Sequence, residues 1–80
     1  MTHELKTWTA FFKCLQDGSK TFEIRKNDRD YKVGDRLWCR EYNPETHSYL
    51  GPDISFEVTY VMKDHDGLRP GYVIMGIIRV

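Results

Sequence analysis

One stretch decides the fold: Gly18-Ser19-Lys20-Thr21-Phe22-Glu23-Ile24-Arg25, where a helical pattern ends and a strand pattern begins. Gly18 suits the residue after a helix, because glycine enters the left-handed backbone region without steric cost. After it, polar and apolar side chains alternate, which indicates a strand with Thr21, Glu23 and Arg25 on one face. Binding sites are often built from an acid and a base on one face of a strand. On the pattern alone, the favoured interpretation is an edge strand with a surface ion pair worth about 0–1 kcal/mol.

Outward from this stretch, the chain alternates between short structured segments and turns. A short strand is predicted over His3–Lys6, followed by a helix over Thr9–Asp17 that Thr7 or Thr9 caps. Helical spacing predicts the apolar stripe of that helix, which is Ala10, Phe11, Cys14 and Leu15. Alternation and composition predict four further strands, at Lys20–Lys26, Arg36–Tyr42, Ile54–Met62 and Tyr72–Val80. The segments Asn43–Ser48 and Tyr49–Pro52 are expected to form a hairpin loop and an irregular connection.

This order of elements predicts a mostly β domain of the α+β type. One helix and several short strands with tight turns favour a small, closed or nearly closed β-barrel with the helix on one side. The 80 residues are expected to form one domain over 1–80, with one modest core.

The charge balance limits the range of partners. The formal net charge is zero. Residues 20–40 carry seven basic and four acidic groups, and residues 41–66 carry six acidic groups and one basic group. A dipolar surface of this kind can present a basic cleft to an anion, but a neutral total argues against indiscriminate binding to duplex DNA.

The remaining sequence features argue against disulfides, metal sites and membrane segments. Cys14 and Cys39 are predicted to be unpaired thiols in a reducing compartment. The histidines match no zinc-ligand spacing and are expected on the surface, so no metal and no cofactor are predicted. Neither a signal peptide nor an apolar run of membrane-spanning length is visible, and the cytoplasm is the expected location.

Gly18, Lys20, Glu23 and Arg25 together resemble the G-x-K-x-x-E-x-R signature of ASCH domains, which belong to the PUA-like superfamily of small β-barrels. The run Thr21–Arg29, followed by Val33-Gly34-Asp35, is similar to a branch of short ASCH-type proteins from phages and bacteria. The resemblance implies a PUA-like barrel with one N-terminal helix packed against it, and a cleft beside that helix.

For function, the resemblance implies binding of RNA or of a nucleotide-like anion. Carried over, Lys20, Glu23 and Arg25 line the cleft, with Thr21 on the same strand face. Lys20 and Arg25 suit a phosphate or a base carbonyl, because arginine offers a planar fork of donors. Glu23 either accepts from an exocyclic amine or holds Arg25 in place.

Aromatic side chains supply candidate stacking platforms for splayed bases. The candidates are Trp8, Tyr31, Trp38 and Tyr42. Trp38 is preferred because the predicted strand places it on one face with Arg40 and Tyr42, and Trp38 and Arg40 complete the predicted site.

Two other functions stay open at this point. A related enzymatic branch hydrolyses a modified nucleoside, using a lysine at the position of Lys20 and a threonine where this chain has Glu23. A carboxylate does not replace an activated hydroxyl in acyl transfer, which counts against a hydrolase acting on a modified nucleoside or RNA. A phage-type protein-interaction module is the third candidate, and it predicts a contiguous exposed apolar patch.

Overall fold

A computed structural model describes all 80 residues, Met1–Val80. The elements are β1 (Thr2–Trp8), α1 (Thr9–Gln16), β2 (Phe22–Lys26), β3 (Arg36–Asn43), β4 (Ser48–Met62) and β5 (Tyr72–Arg79). The predicted class, mostly β with one short helix, is confirmed. The eight-residue helix is too short to cross a bilayer.

The five strands form one sheet in the order β1-β3-β4-β5-β2. β1 runs parallel to β3, and every other neighbouring pair is antiparallel. The first two strands of the chain therefore lie at opposite edges of the sheet, and α1 connects them while it packs on β1 and β3.

The sheet curls into a half-barrel, which brings its two edges close together. Arg25 on β2 donates from Nη2 to the carbonyl of Lys6 on β1 over 3.2 Å. Arg29, in the β2–β3 connection, donates to the carbonyl of Glu4 over 2.7 Å. No backbone ladder joins β1 to β2, so arginine side chains bridge the seam between the edge strands.

The core lies on the concave face of the sheet, beneath the helix. It comprises Leu5, Phe12, Leu15, Tyr31, Leu37, Cys39, Ile54, Phe56, Val58, Val73, Met75 and Ile77. In β4, Ile54, Phe56 and Val58 alternate into the core, but the register of the strand shifts between Val58 and Tyr60, and Tyr60 is exposed. Near the end of β5, Ile77 is buried whereas Ile78 lies on the exposed face.

Two predictions about α1 are corrected. Phe12 and Leu15 form its buried face, whereas Ala10 and Phe11 are exposed. Trp8 occupies the N-cap position, and its side chain makes no capping hydrogen bond. Thr7 is unable to cap because it belongs to β1 and points into the protein. Gly18 does adopt the predicted left-handed conformation, with φ of +85°, and the Lys20 N–H bonds back to the Cys14 carbonyl.

Other local predictions also have clear outcomes. Both cysteines are free, as predicted. The hairpin loop is confirmed, because β3 ends at Asn43 and β4 begins at Ser48. Tyr49–Pro52 is not an irregular connection, since it belongs to β4.

His3 is buried, contrary to the expected surface position, and it holds the start of β1 in place. Its Nε2 donates to Asp35 Oδ2 over 2.8 Å, and its ring packs edge-on against Tyr31 at 4.7 Å between centroids. Asp35 Oδ2 also accepts from the Lys32 backbone N–H. The hydrogen bond from His3 holds the pKa of Asp35 below its ordinary value of 3.8, although burial opposes the change.

The pH dependence of stability follows from that lowered pKa. A depressed carboxyl pKa contributes stability above the ordinary value, and that contribution is lost as pH falls through the folded-state pKa. We expect Asp35→Asn to lower the free energy of unfolding by about 1–2 kcal/mol near neutral pH, with a smaller deficit near about pH 3, below the ordinary pKa of 3.8.

Urea unfolding at both pH values measures this difference. Asp30→Asn is the matched control, because the carboxylate of Asp30 pairs with Lys32 on the open surface and its loss should change little. A deficit for Asp35→Asn that is equal at both pH values would contradict the role given to the ionised carboxylate.

Candidate functional site

A cleft opens at the seam between β1 and β2, next to the first turn of α1. Its volume is about 590 Å³, within the range of small-molecule sites in proteins. The residues that line it are Lys6, Thr7, Trp8, Phe11, Lys20, Phe22, Glu23, Ile24 and Arg25. The cleft exists because the sheet does not close there.

The floor of the cleft is a buried carboxylate held between two cations. Lys20 Nζ lies 3.1 Å from Glu23 Oε1, and Arg25 Nε lies 3.0 Å from Glu23 Oε2. The Glu23 side chain is 3% exposed, against 17% for Lys20 and 26% for Arg25. The carboxylate is thus beneath the two cations, and the cations are the groups that the cleft presents.

β2 carries its charged face inward and its apolar face outward. Glu23 is buried, whereas Phe22 and Ile24 are 45% and 49% exposed. The surface-ion-pair interpretation of this strand is therefore wrong. An inward-facing carboxylate is tolerated because each of its oxygens has a cationic donor, and removing one partner of such a pair costs about 3–5 kcal/mol.

Exposed aromatic rings flank Lys20 at the mouth of the cleft. Lys20 Nζ lies 5.3 Å from the centre of the Phe11 ring and 5.5 Å from that of Phe22. Trp8 and Ile24 are half exposed at the same rim. The rim is mainly apolar and the floor is ionic, a combination that suits a ligand with a flat body and a polar edge.

Thr7 adds a buried hydroxyl that has no strong hydrogen-bond partner. The residue lines the cleft, and its Oγ1 is buried without a hydrogen bond. The Cys39 thiol lies nearby, and burial, with a smaller contribution from the charge of Glu23, raises the pKa of that thiol to about 11. The thiol therefore stays protonated at neutral pH and offers Thr7 only a weak polar contact.

Comparison with known proteins identifies the family. The family model described as domain of unknown function DUF3850 matches residues 2–77. The chain belongs to the DUF3850 family. It is also similar to a protein of Escherichia phage P2 described as "Uncharacterized 12.9 kDa protein in GpA 3'region", with 32% identity over 73 residues. The alignment covers 91% of this chain and 64% of the phage protein, so the chain spans less than two thirds of that relative. The predicted relationship to phage proteins is confirmed.

The six predicted site residues of this DUF3850 chain fall in three places. Lys20, Glu23 and Arg25 converge at the floor of the cleft. Thr21 lies outside it, because it precedes β2 and lines a neighbouring hollow. Trp38 and Arg40 do not line the cleft.

Trp38 and Arg40 instead lie on the convex face of the sheet, opposite the core-facing residues of β3. The Trp38 indole N–H donates to Asp53. Arg40 pairs with Glu4 at 2.8 Å and stacks on Tyr49, with its guanidinium carbon 3.8 Å from the ring centre. Through these contacts Trp38 and Arg40 belong to a surface cluster that is separate from the cleft.

Sequence reasoning also missed part of the rim. Phe11 was assigned to the core and Phe22 was not singled out, yet both flank Lys20. Of the proposed aromatic platforms only Trp8 borders the cleft, while Tyr31 is in the core and Tyr42 is buried against Tyr49. No group of three or more His, Cys, Asp or Glu side chains is arranged to hold a metal ion.

The unpartnered hydroxyl of Thr7 allows a test of the cleft without a ligand. Replacing it with the nearly isosteric valine removes an unsatisfied buried oxygen, so we expect Thr7→Val to raise the free energy of unfolding by about 1 kcal/mol. Thr59→Val, an exposed change within β4, controls for the intrinsic strand preference of valine. A loss of stability specific to Thr7→Val in urea unfolding would show that the hydroxyl is satisfied in solution.

Proposed function

We propose that this DUF3850 domain binds single-stranded RNA or a nucleotide-like anion in the cleft between β1, β2 and α1. The observation that carries the proposal is the pair of cations, Lys20 and Arg25, fixed by the buried Glu23 at the bottom of a hollow with aromatic walls. The two free cysteines support the cytoplasm, a reducing compartment, as the proposed location.

The donors that remain free determine the chemistry of the ligand. A lysine ammonium has three donor hydrogens, and Lys20 uses one on Glu23. A guanidinium has five, and Arg25 uses one on Glu23 and one on the Lys6 carbonyl. Because Glu23 is covered, the cleft offers donors and no accessible carboxylate. A ligand oxygen, from a phosphate or a base carbonyl, complements it best.

The rim supports a flat ligand. Aromatic side chains stack on nucleobases of any sequence, and such stacking is worth about 1–3 kcal/mol per base. Trp8, Phe11 and Phe22 are exposed beside the cations, so a base can stack while its polar edge or its phosphate reaches the floor.

The general shape of the fold is consistent with the expected resemblance to ASCH domains. The curled half-barrel with one helix is compatible with the PUA-like barrel that the G-x-K-x-x-E-x-R signature implies. The signature residues Lys20, Glu23 and Arg25 line a cleft beside the helix, which is the place that the ASCH resemblance implies for them. We therefore propose that DUF3850 domains of this type are ASCH-like.

The same geometry favours binding over hydrolysis. In the related enzymes a threonine stands at the position of Glu23, and here that position holds a carboxylate with both oxygens engaged by cations. A group that is sealed in this way is not free to attack a substrate or to move a proton.

A protein-interaction module is the second candidate, and one observation favours it. Trp8, Phe11, Phe22 and Ile24 form the exposed apolar patch that such a module predicts. The two functions differ in their dependence on charge. RNA binding weakens steeply with salt and requires Lys20, whereas docking of an apolar protein surface requires the rim and tolerates salt.

We expect Lys20→Gln and Arg25→Gln each to weaken binding of a fluorescein-labelled single-stranded RNA octamer by about fivefold or more, which is about 1 kcal/mol. Fluorescence anisotropy measures the affinity. Lys26→Gln is the matched control, because Lys26 is an exposed cation on the same strand that does not line the cleft.

Thermal unfolding of each variant separates lost binding from lost folding. This matters for Arg25, which also bridges the seam. Affinity for RNA that is equal in wild type, Lys20→Gln and Lys26→Gln, or no binding by wild type, would contradict the proposed function.

A further inference from the structure

A second hollow, of about 450 Å³, adjoins the cleft. It lies between the C-terminal end of α1, the turn at Gly18 and the end of β5. Lys20 lines both hollows, so its ammonium stands at the boundary between them. Thr21, which the sequence placed in the site, lines this second hollow.

Arg79 gives the second hollow its free positive charge. Its Nη1 lies 3.5 Å from the Gln16 carbonyl, which is its only side-chain hydrogen bond, and no carboxylate lies within 4.0 Å of it. Arg79 is also exposed. Because Arg79 makes one long hydrogen bond, most of its guanidinium donors are available to a ligand.

Two negative groups also border the second hollow. Asp17 lines the hollow, but one of its oxygens accepts from the Ser19 backbone N–H, and this bond holds it in the local turn. The C-terminal end of α1 contributes about half an elementary negative charge. Lys20 is shared with Glu23, so Arg79 is the cation that decides whether an anion is held here.

We propose that the ligand is a continuous nucleic-acid strand and that the second hollow is the subsite for the next nucleotide. This proposal rests on the proposed function. One base occupies the aromatic cleft, the phosphate that links it to its neighbour lies against Lys20, and the phosphate of the neighbouring nucleotide contacts Arg79. The apolar floor of the second hollow, which includes Phe56 and Ile77, accommodates the neighbouring sugar and base.

Ligand length provides the direct test. The probes are uridine 5′-monophosphate and the 5′-phosphorylated dinucleotide of uridine, titrated against wild type, Arg79→Gln and Arg36→Gln by calorimetry. Arg36→Gln is the control, because it removes the same charge from an exposed arginine that lines neither hollow. Arg79→Lys retains the charge and tests whether charge is the property that matters.

We expect the dinucleotide to bind wild type about tenfold more tightly than the mononucleotide. Arg79→Gln should remove most of that gain and leave mononucleotide affinity within about twofold, because only the second phosphate is affected. Arg36→Gln should preserve the gain, and Arg79→Lys should preserve most of it. For a longer RNA, Arg79→Gln should reduce the slope of log affinity against log salt by about 0.7.

The failures of the two proposals are distinguishable. If mononucleotide and dinucleotide bind equally and Arg79→Gln changes neither, the second subsite is overturned and the proposed function stands. If wild type binds neither probe and no longer RNA, both are overturned. If Arg36→Gln and Arg79→Gln weaken the dinucleotide equally, the effect is one of total charge and the subsite is again overturned.

Discussion

The site depends on the contacts of the buried Glu23 carboxylate with Lys20 and Arg25, which enclose it. A buried carboxylate is costly unless donors satisfy both of its oxygens, and here each oxygen has a cation about 3 Å away. The pair of cations is in turn held in one arrangement by that carboxylate. Pre-organised charge of this kind reduces the ordering cost of binding, because the donors do not have to be fixed when a ligand arrives.

The same interaction connects the site to the fold. β1 and β2 are the edges of the curled sheet, and no backbone hydrogen bonds join them. Arg25 spans this seam, with one donor on Glu23 and another on the Lys6 carbonyl. An exposed strand edge is a liability for aggregation, and side chains from β2 and the following loop cover it here. The incomplete closure is also what leaves room for the cleft, so the site is a consequence of how the half-barrel ends.

Local sequence patterns predicted the elements well and their burial less well. Alternation and Gly18 located β2, most of β3 and the end of α1, because period and backbone preference are local properties. They did not reveal that Glu23 faces inward, because the face of a strand that meets the core depends on non-local pairing. His3 was missed for the same reason, since its partner Asp35 is distant in sequence. The expected resemblance to ASCH domains singled out Lys20, Glu23 and Arg25, but the rim forms where α1 and β2 meet, and residue spacing alone does not predict that contact.

A double-mutant cycle on Glu23 and Arg25 measures how strongly the buried carboxylate holds its cation. Urea unfolding of wild type, Glu23→Gln, Arg25→Gln and the double variant gives the coupling free energy of the pair, with the exposed pair Glu4 and Arg40 as the matched cycle. We expect a coupling free energy of about 2 kcal/mol for the buried pair and of less than about 1 kcal/mol for the exposed pair. Equal, small couplings in the two cycles would contradict this expectation, because Glu23 would then hold Arg25 no more firmly than a surface carboxylate does.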